Sequence, residues 1–360
     1  MSQSKPNNEN RRGFIRGSSL LIASALPATA GAASVPRPQR LGLIGCGTSG
    51  VQLTAAAMEA GLVNLVALAD SSKSQMQQAS RSLKGRHPHA FCVENNARFL
   101  GQQAYRELLK LDLDWVIVAV PYGLRASMIG AALASGAEVY SEQPLAVCPK
   151  TFSKLLEFVE RTPNTLHVGN RQELTIQHAE VLAAIREGAI GEVHTINARS
   201  YSVSPARLAM KRPAATWRAE PKLAGDGTLR HRAALMELAC ELFGEKPKGG
   251  RVQSQVEYGD CSFDSRVCWQ FSDAVVNSHC RQSPQFSSPI EQVEIVGSQG
   301  RCELQRGRIY DASGKLVERF GPTRIARAHL LLGAIISKAQ RSGEQSLAAI
   351  EAVLATRQAI

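Results

Sequence analysis

No apolar run in this 360-residue chain approaches the roughly 20 residues that a membrane-spanning helix needs. Its eight cysteines include no C-x-x-C pair, which argues against a zinc ribbon or a dithiol redox motif. No group of His, Cys, Asp and Glu has metal-ligand spacing, so no metal is expected. Aromatics make up only 5% of residues, and the basic residues are spread along the chain without being interleaved with them. The net charge of +11 therefore reads as a solvated basic surface, and no nucleic-acid partner is expected. Past the N-terminus there is neither an internal repeat nor a low-complexity tract.

What is present is ordinary for a soluble globular protein: 44% apolar and 20% charged residues, in a chain long enough for two domains. The first 33 residues stand apart. "NRRGFIRGSSLLIASALPATAGA" sets Arg11-Arg12 ahead of a short apolar stretch, and Ala28-Thr29-Ala30 fits a signal-peptidase site. Residues 1–33 read as a twin-arginine signal peptide, with a basic disordered tail as the alternative. The expectation is a periplasmic or extracytoplasmic protein, exported folded, with its thiols already buried. Removing the signal lowers the net charge from +11 to +8, four cations and one anion fewer.

From Arg40 the pattern alternates. "RLGLIG", "LVNLVALAD", "LDWVIVAV" and "AEVYSE" read as strands, and "SGVQLTAAAMEAG", "QQAYRELLK" and "LRASMIGAALASG" as helices between them. Such β-α-β alternation predicts a parallel sheet covered on both faces. After Pro144 two helical stretches flank "LHVGN", and five strand-like alternations follow from "EVHTINARSY" to "QVEIVG". The polar segment "ARLAMKRPAATWRAEPK" interrupts them, and two helices close the chain. The fold class is α/β: a Rossmann domain over 34–145, then an α+β domain with a mostly antiparallel sheet over 146–360.

Gly45-Cys46-Gly47-Thr48-Ser49-Gly50 is a G-x-G-x-x-G between a strand and a helix. Its first glycine makes the turn, the second admits a pyrophosphate, and the third packs helix on strand. Thr48 and Ser49 open the helix, whose N–H groups face the phosphates. Asp70 ends the next strand, where a carboxylate can hold ribose hydroxyls and would repel a 2′-phosphate. NAD is expected, and Lys73 nearby leaves NADP open. Cys46 needs no reason beyond its small size.

The order of these pieces, from the glycine loop through "VIVAVP", "EVYSEQPLA", "REGAIGEVHTINARSY" and "TWRAEP" to "GDGTLRHRAALMELACELFGE", resembles the Gfo/Idh/MocA oxidoreductase family. The resemblance implies a Rossmann domain and an open-faced sheet domain with nicotinamide and a sugar-like substrate between them. It places Pro121 and Glu142 beside the cofactor, and it implies homo-oligomers formed through the C-terminal sheet. In the family's Glu-Lys-Pro motif the lysine reaches the reacting oxygen; here that position is Gln143, which cannot pass a proton. The Gly-Gly-Gly…Asp…His pattern maps onto Gly225-Asp226-Gly227, with His231 at the aspartate and Leu235 at the catalytic histidine. His231 is the candidate acid/base, or simply a polar residue between two arginines. Arg125, Arg171, Arg218, Arg230 and Arg232 fall in segments the family arrangement brings near the cleft; they suit an anionic substrate or serve charge compensation. Trp217 either stacks on a sugar ring or anchors its loop. Three activities are compatible with this reading: hydride transfer on a sugar-like substrate, silent NAD-dependent carbohydrate binding, and NAD-dependent glycoside hydrolysis.

Overall fold

The computed structural model describes residues 37–61, 63–162, 166–169, 176–204, 213–225, 227–257, 263–286, 288–321 and 353. Residues 1–33, read from the sequence as an export signal, together with Arg171, Asp226 and the two closing segments read as helices, lie outside them, except Val353, which is helical and buried. Pro38–Ile360 groups as one unit by its contacts, and Met1–Arg37 as another. No described helix is long and apolar enough to cross a membrane.

Six parallel strands form the first sheet: β1 (Gln39–Ile44), β2 (Val63–Asp70), β3 (Arg98–Leu100), β4 (Trp115–Val118), β5 (Glu138–Glu142) and β6 (Leu166–Gly169). Their spatial order is β3-β2-β1-β4-β5-β6, the doubly wound Rossmann order. Helices α1 (Thr48–Glu59), α2 (Lys73–Arg86), α3 (Ala104–Leu108), α4 (Tyr122–Ala134) and α5 (Pro149–Arg161) make the connections. Strand β4, "WVIV", is buried along its whole length, as a strand covered on both faces must be. The order reverses between β1 and β4, so a crevice opens beyond their carboxyl ends.

Three elements extend or add to the sequence reading. Helix α5 and strand β6 carry the parallel sheet to Gly169, beyond the boundary drawn at residue 145. Helix α2 lies in a stretch read as no element. Its buried residues Met76, Ala79, Ser80 and Leu83 follow helical spacing, and Ser72 Oγ caps its start by accepting from Gln75 N–H.

After α6 (Ile176–Arg186), eight strands form the second sheet: β7 (Val193–Val203), β8 (Gly249–Glu257), β9 (Phe263–Gln270), β10 (Val275–Ser283), β11 (Ile290–Gly297), β12 (Gly300–Glu303), β13 (Arg308–Asp311) and β14 (Leu316–Arg319). All neighbours are antiparallel except β7 and β10. Two further helices, α7 (Pro221–Ala224) and α8 (Leu229–Phe243), precede β8. Helix α8 packs on β7 and β10, where Ile196, Val276, Trp269, Ile295 and Leu235 are buried. Alternate positions on these strands carry polar side chains joined to one another: Tyr201–His279–Asp264, and Glu294–Arg301–Glu303.

Candidate functional site

The glycine loop joins β1 to α1, and its three glycines have three different reasons. Gly45 has φ +96°, and a Cβ there would sit 2.6 Å from the Ala119 carbonyl oxygen. A Cβ on Gly50 would run into the Gly45 carbonyl, so that glycine presses helix on strand. Gly47 has neither need. Its φ of −71° suits any residue, and a Cβ would meet only the flexible Gln75 Oε1, at 3.3 Å. What the missing side chain leaves open is cleft space at the N-terminus of α1. Gly47, as N-cap, supplies no capping side chain, and the first turn holds no acid. Free N–H groups beside an open approach fit a pyrophosphate.

Asp70, at the end of β2, is tied into the same loop. Its Oδ2 accepts from Cys46 N–H at 2.6 Å and its Oδ1 from Ser72 N–H at 2.7 Å. Each oxygen keeps a further lone pair, enough for ribose hydroxyls. Burial, with Asp70 beside it, pushes the Cys46 thiol well up, so this cysteine is no nucleophile. Of the described cysteines, Cys46, Cys240, Cys280 and Cys302 are buried, and Cys92 is exposed.

At the ends of β4 and β5, Arg125 borders the cleft but is 5% exposed, and its guanidinium is engaged by backbone carbonyls. Its Nε–H donates to the Val120 carbonyl at 2.8 Å, and its Nη1 to those of Pro144 at 3.1 Å and of Glu142. Burial lowers its pKa, and Arg218 and Arg230 push the same way against Tyr122 and Glu142. Gln143, beside Pro144, is buried; its Nε2 donates to Glu237 Oε2 at 2.7 Å.

The facing wall comes from the second half of the chain. Trp217 meets Tyr122 edge-on at 5.1 Å, with Arg218 over the indole at 4.7 Å and Arg125 over the phenol ring at 4.6 Å. The edge-to-face ring pair thus carries a cation at each end, Arg125 on Tyr122 and Arg218 on Trp217. On α8, His231 Nδ1 lies 3.1 Å from Glu291 Oε1. Strand register explains the pair. Glu291 lies opposite Ser200, and Val293 opposite Ala198, so the odd positions of β11 face α8. Leu235, one turn after His231, is 2% exposed and offers no proton carrier. Arg232 turns away from the cleft, to Ser265 Oγ on β9 at 2.7 Å.

One cleft of about 1540 Å³ unites these parts. Its lining includes Gly45, Gly47, Thr48, Ser49, Asp70, Pro121, Glu142, Gln143, Trp217, Arg218, Arg230, His231 and Glu291. Pockets for a single small ligand run to roughly 300–1,000 Å³, so this one has room for two. Sequence reasoning missed Glu291, Glu237 and Tyr122. Tyr122 follows Pro121 directly and was within reach. The two glutamates meet the cleft residues only through strand register and helix packing, and no local spacing reveals them.

The sequence model described as "Oxidoreductase family, NAD-binding Rossmann fold" matches residues 39–170. Those residues belong to the Gfo/Idh/MocA family. The chain is 27% identical over 241 residues to a glycosyl hydrolase family 109 protein of Shewanella amazonensis, covering 58% of this chain and 50% of that one. It spans about half the length of the curated relatives it matches. The fold is that of an oxidoreductase of Thermotoga maritima (TM-score 0.69, 18% identity, 89% of this chain and 96% of that one). It is also that of the scyllo-inositol dehydrogenase of Lactobacillus casei solved with NAD(H) and scyllo-inositol (TM-score 0.67, 15% identity, 90% and 97%). The likeness in fold extends over both sheets.

Proposed function

We propose that this chain is an NAD-dependent oxidoreductase acting on a sugar-like polyol or its ketone, with His231 as acid/base. The observation that carries it is the His231–Glu291 pair in the cleft that also holds the glycine loop. Gly45, Gly47, Thr48 and Ser49 would hold the pyrophosphate and Asp70 the ribose. Asp70 supports NAD, and Lys73 is not among the cleft-lining residues. A bound nicotinamide supplies hydride exchange with a carbinol carbon. The chain's own residues supply the rest. With Nδ1 held by Glu291, Nε2 of His231 is the nitrogen that takes the hydroxyl proton on oxidation and returns it on reduction. The Glu291 carboxylate stabilises the imidazolium so formed, and Trp217 with Arg218 presents an indole and a cation to a ring that bears an acid group.

Hydride exchange between labelled reduced nicotinamide and neutral and acidic sugars tests this. Loss of exchange in His231→Ala, with NAD affinity retained, is the expected result; turnover that survives the substitution removes His231 from the role.

The relative named as a glycosyl hydrolase supports a second reading, cleavage of a glycoside through transient oxidation. Release of aryl alcohol from aryl glycosides, strictly dependent on added NAD, separates it from net oxidation. Silent carbohydrate binding is the third, supported by Gln143 and Leu235 at the family's Lys and His positions; it leaves tight NAD binding with neither reaction. Self-association through the second sheet is part of the proposal, and sedimentation as a single monomer boundary would remove it.

A further inference from the structure

The residue at the position that the family resemblance gives to lysine is Gln143, an uncharged amide. Gln143 sits past the end of β5, with its backbone N–H donating to the Gly169 carbonyl at 3.1 Å, so the start of its side chain is fixed by the sheet. That side chain is 8% exposed and lines the cleft. Its Nε2 donates to Glu237 Oε2 at 2.7 Å across the gap to α8, and Glu237 is itself 6% exposed. The amide therefore turns its NH₂ toward Glu237 and its Oε1 away from it. Oε1 is buried and has no partner. A buried acceptor without a donor is unfavourable, and protein structures rarely keep one without a reason.

We infer that Gln143 Oε1 is a substrate-reading acceptor, held in place by Glu237, that receives a hydrogen bond from a ligand hydroxyl entering the cleft. This rests on the proposed polyol reading and makes it more specific. A lysine here would donate to the ligand's oxygen; the pinned glutamine accepts instead, and so selects a free hydroxyl over a carbonyl or ether oxygen at that point. Glu237 acts through Gln143 and is a positioning residue. Proton transfer stays with His231, because a primary amide can orient a hydroxyl but cannot take its proton.

The test uses the full chain loaded with NAD⁺ and labelled with ¹³C at glutamine Cδ. The Gln143 signal is assigned by its absence in Gln143→Met, which keeps the side-chain length. Myo-inositol, scyllo-inositol, glucose and glucuronate are titrated separately, and binding is measured in parallel by calorimetry. The expected result is a shift of the Gln143 carbonyl signal on saturation with whichever sugar binds, and an affinity about 10-fold weaker in Gln143→Met, one neutral hydrogen bond's worth. Glu237→Gln frees the amide to flip, and should broaden or split the Gln143 signal and weaken the sugar with unchanged NAD affinity. Retained NAD affinity shows that each variant is folded. Sugar binding with an unmoved Gln143 signal and equal affinity in Gln143→Met overturns this inference and leaves the polyol reading standing. No binding by any of the four sugars overturns the polyol reading, and this inference with it.

Discussion

Gly47 and Gly50 are both glycines of one motif, yet replacing them should give opposite phenotypes. Gly47→Val meets only a flexible glutamine side chain, so stability should change by no more than about 0.5 kcal/mol while NAD binding is lost in calorimetry. Gly50→Val drives a side chain into the Gly45 backbone and should cost roughly 1–3 kcal/mol or more in denaturant unfolding. Equal loss of stability in both would mean that Gly47 is a structural turn residue. At His231, replacement by alanine should lower kcat by roughly 10²-fold or more with NAD affinity unchanged, and Glu291→Gln should lower it less. The glycine loop was legible because its logic is local: six consecutive residues between a strand and a helix. The surroundings of Arg125 were not legible for the complementary reason. The carbonyls of Val120, Glu142 and Pro144 that its guanidinium meets come from separate segments.

Between elements, Arg125 is the tie that holds the ends of β4 and β5 at the lip of the cleft. Arg125→Met leaves buried carbonyls without a donor and should destabilise by roughly 1.5–3 kcal/mol, read as a lower urea midpoint with an unchanged slope. On β12, burial raises the Glu303 carboxyl while Arg301 and Arg306 lower it, and the net direction is down. A carboxyl depressed on folding stabilises above its unfolded value of about 4.3 and loses that contribution as pH falls through its folded value. Arg301→Met should therefore lower stability modestly at neutral pH and leave it little changed in acid, so that the fall in stability below about pH 5 is flatter than in wild type. A steeper acid loss in the variant would contradict the pairing. Most strands with strong alternation or continuous apolar runs were readable, as "WVIV" and "FDSRVCWQ" show. Strand β6 was not, because four apolar-rich residues between helices do not declare a sheet. The short strands β12, β13 and β14 were missed as well; at four residues each they are held by hairpin pairing more than by pattern.

For the whole molecule, two sheets formed in sequence order contribute residues to one cleft. Export in the folded state is proposed from Arg11-Arg12. Arg11→Lys with Arg12→Lys should leave the protein in the cytoplasm on fractionation, and periplasmic accumulation of that variant would point to another route. The resemblance could not say whether the chain works without the family's lysine and histidine, because the replacement pair is assembled from α8 and β11, 60 positions apart in sequence. The most direct measurement is transfer of deuterium from 4-deuterated NADH into the ketone forms of inositols and acidic sugars, with wild type beside His231→Ala. The expected result is label at a substrate carbon with wild type and transfer slower by roughly 10²-fold or more in the variant. No label in any product, from a protein shown to bind NADH, would contradict the assignment as an oxidoreductase of such substrates.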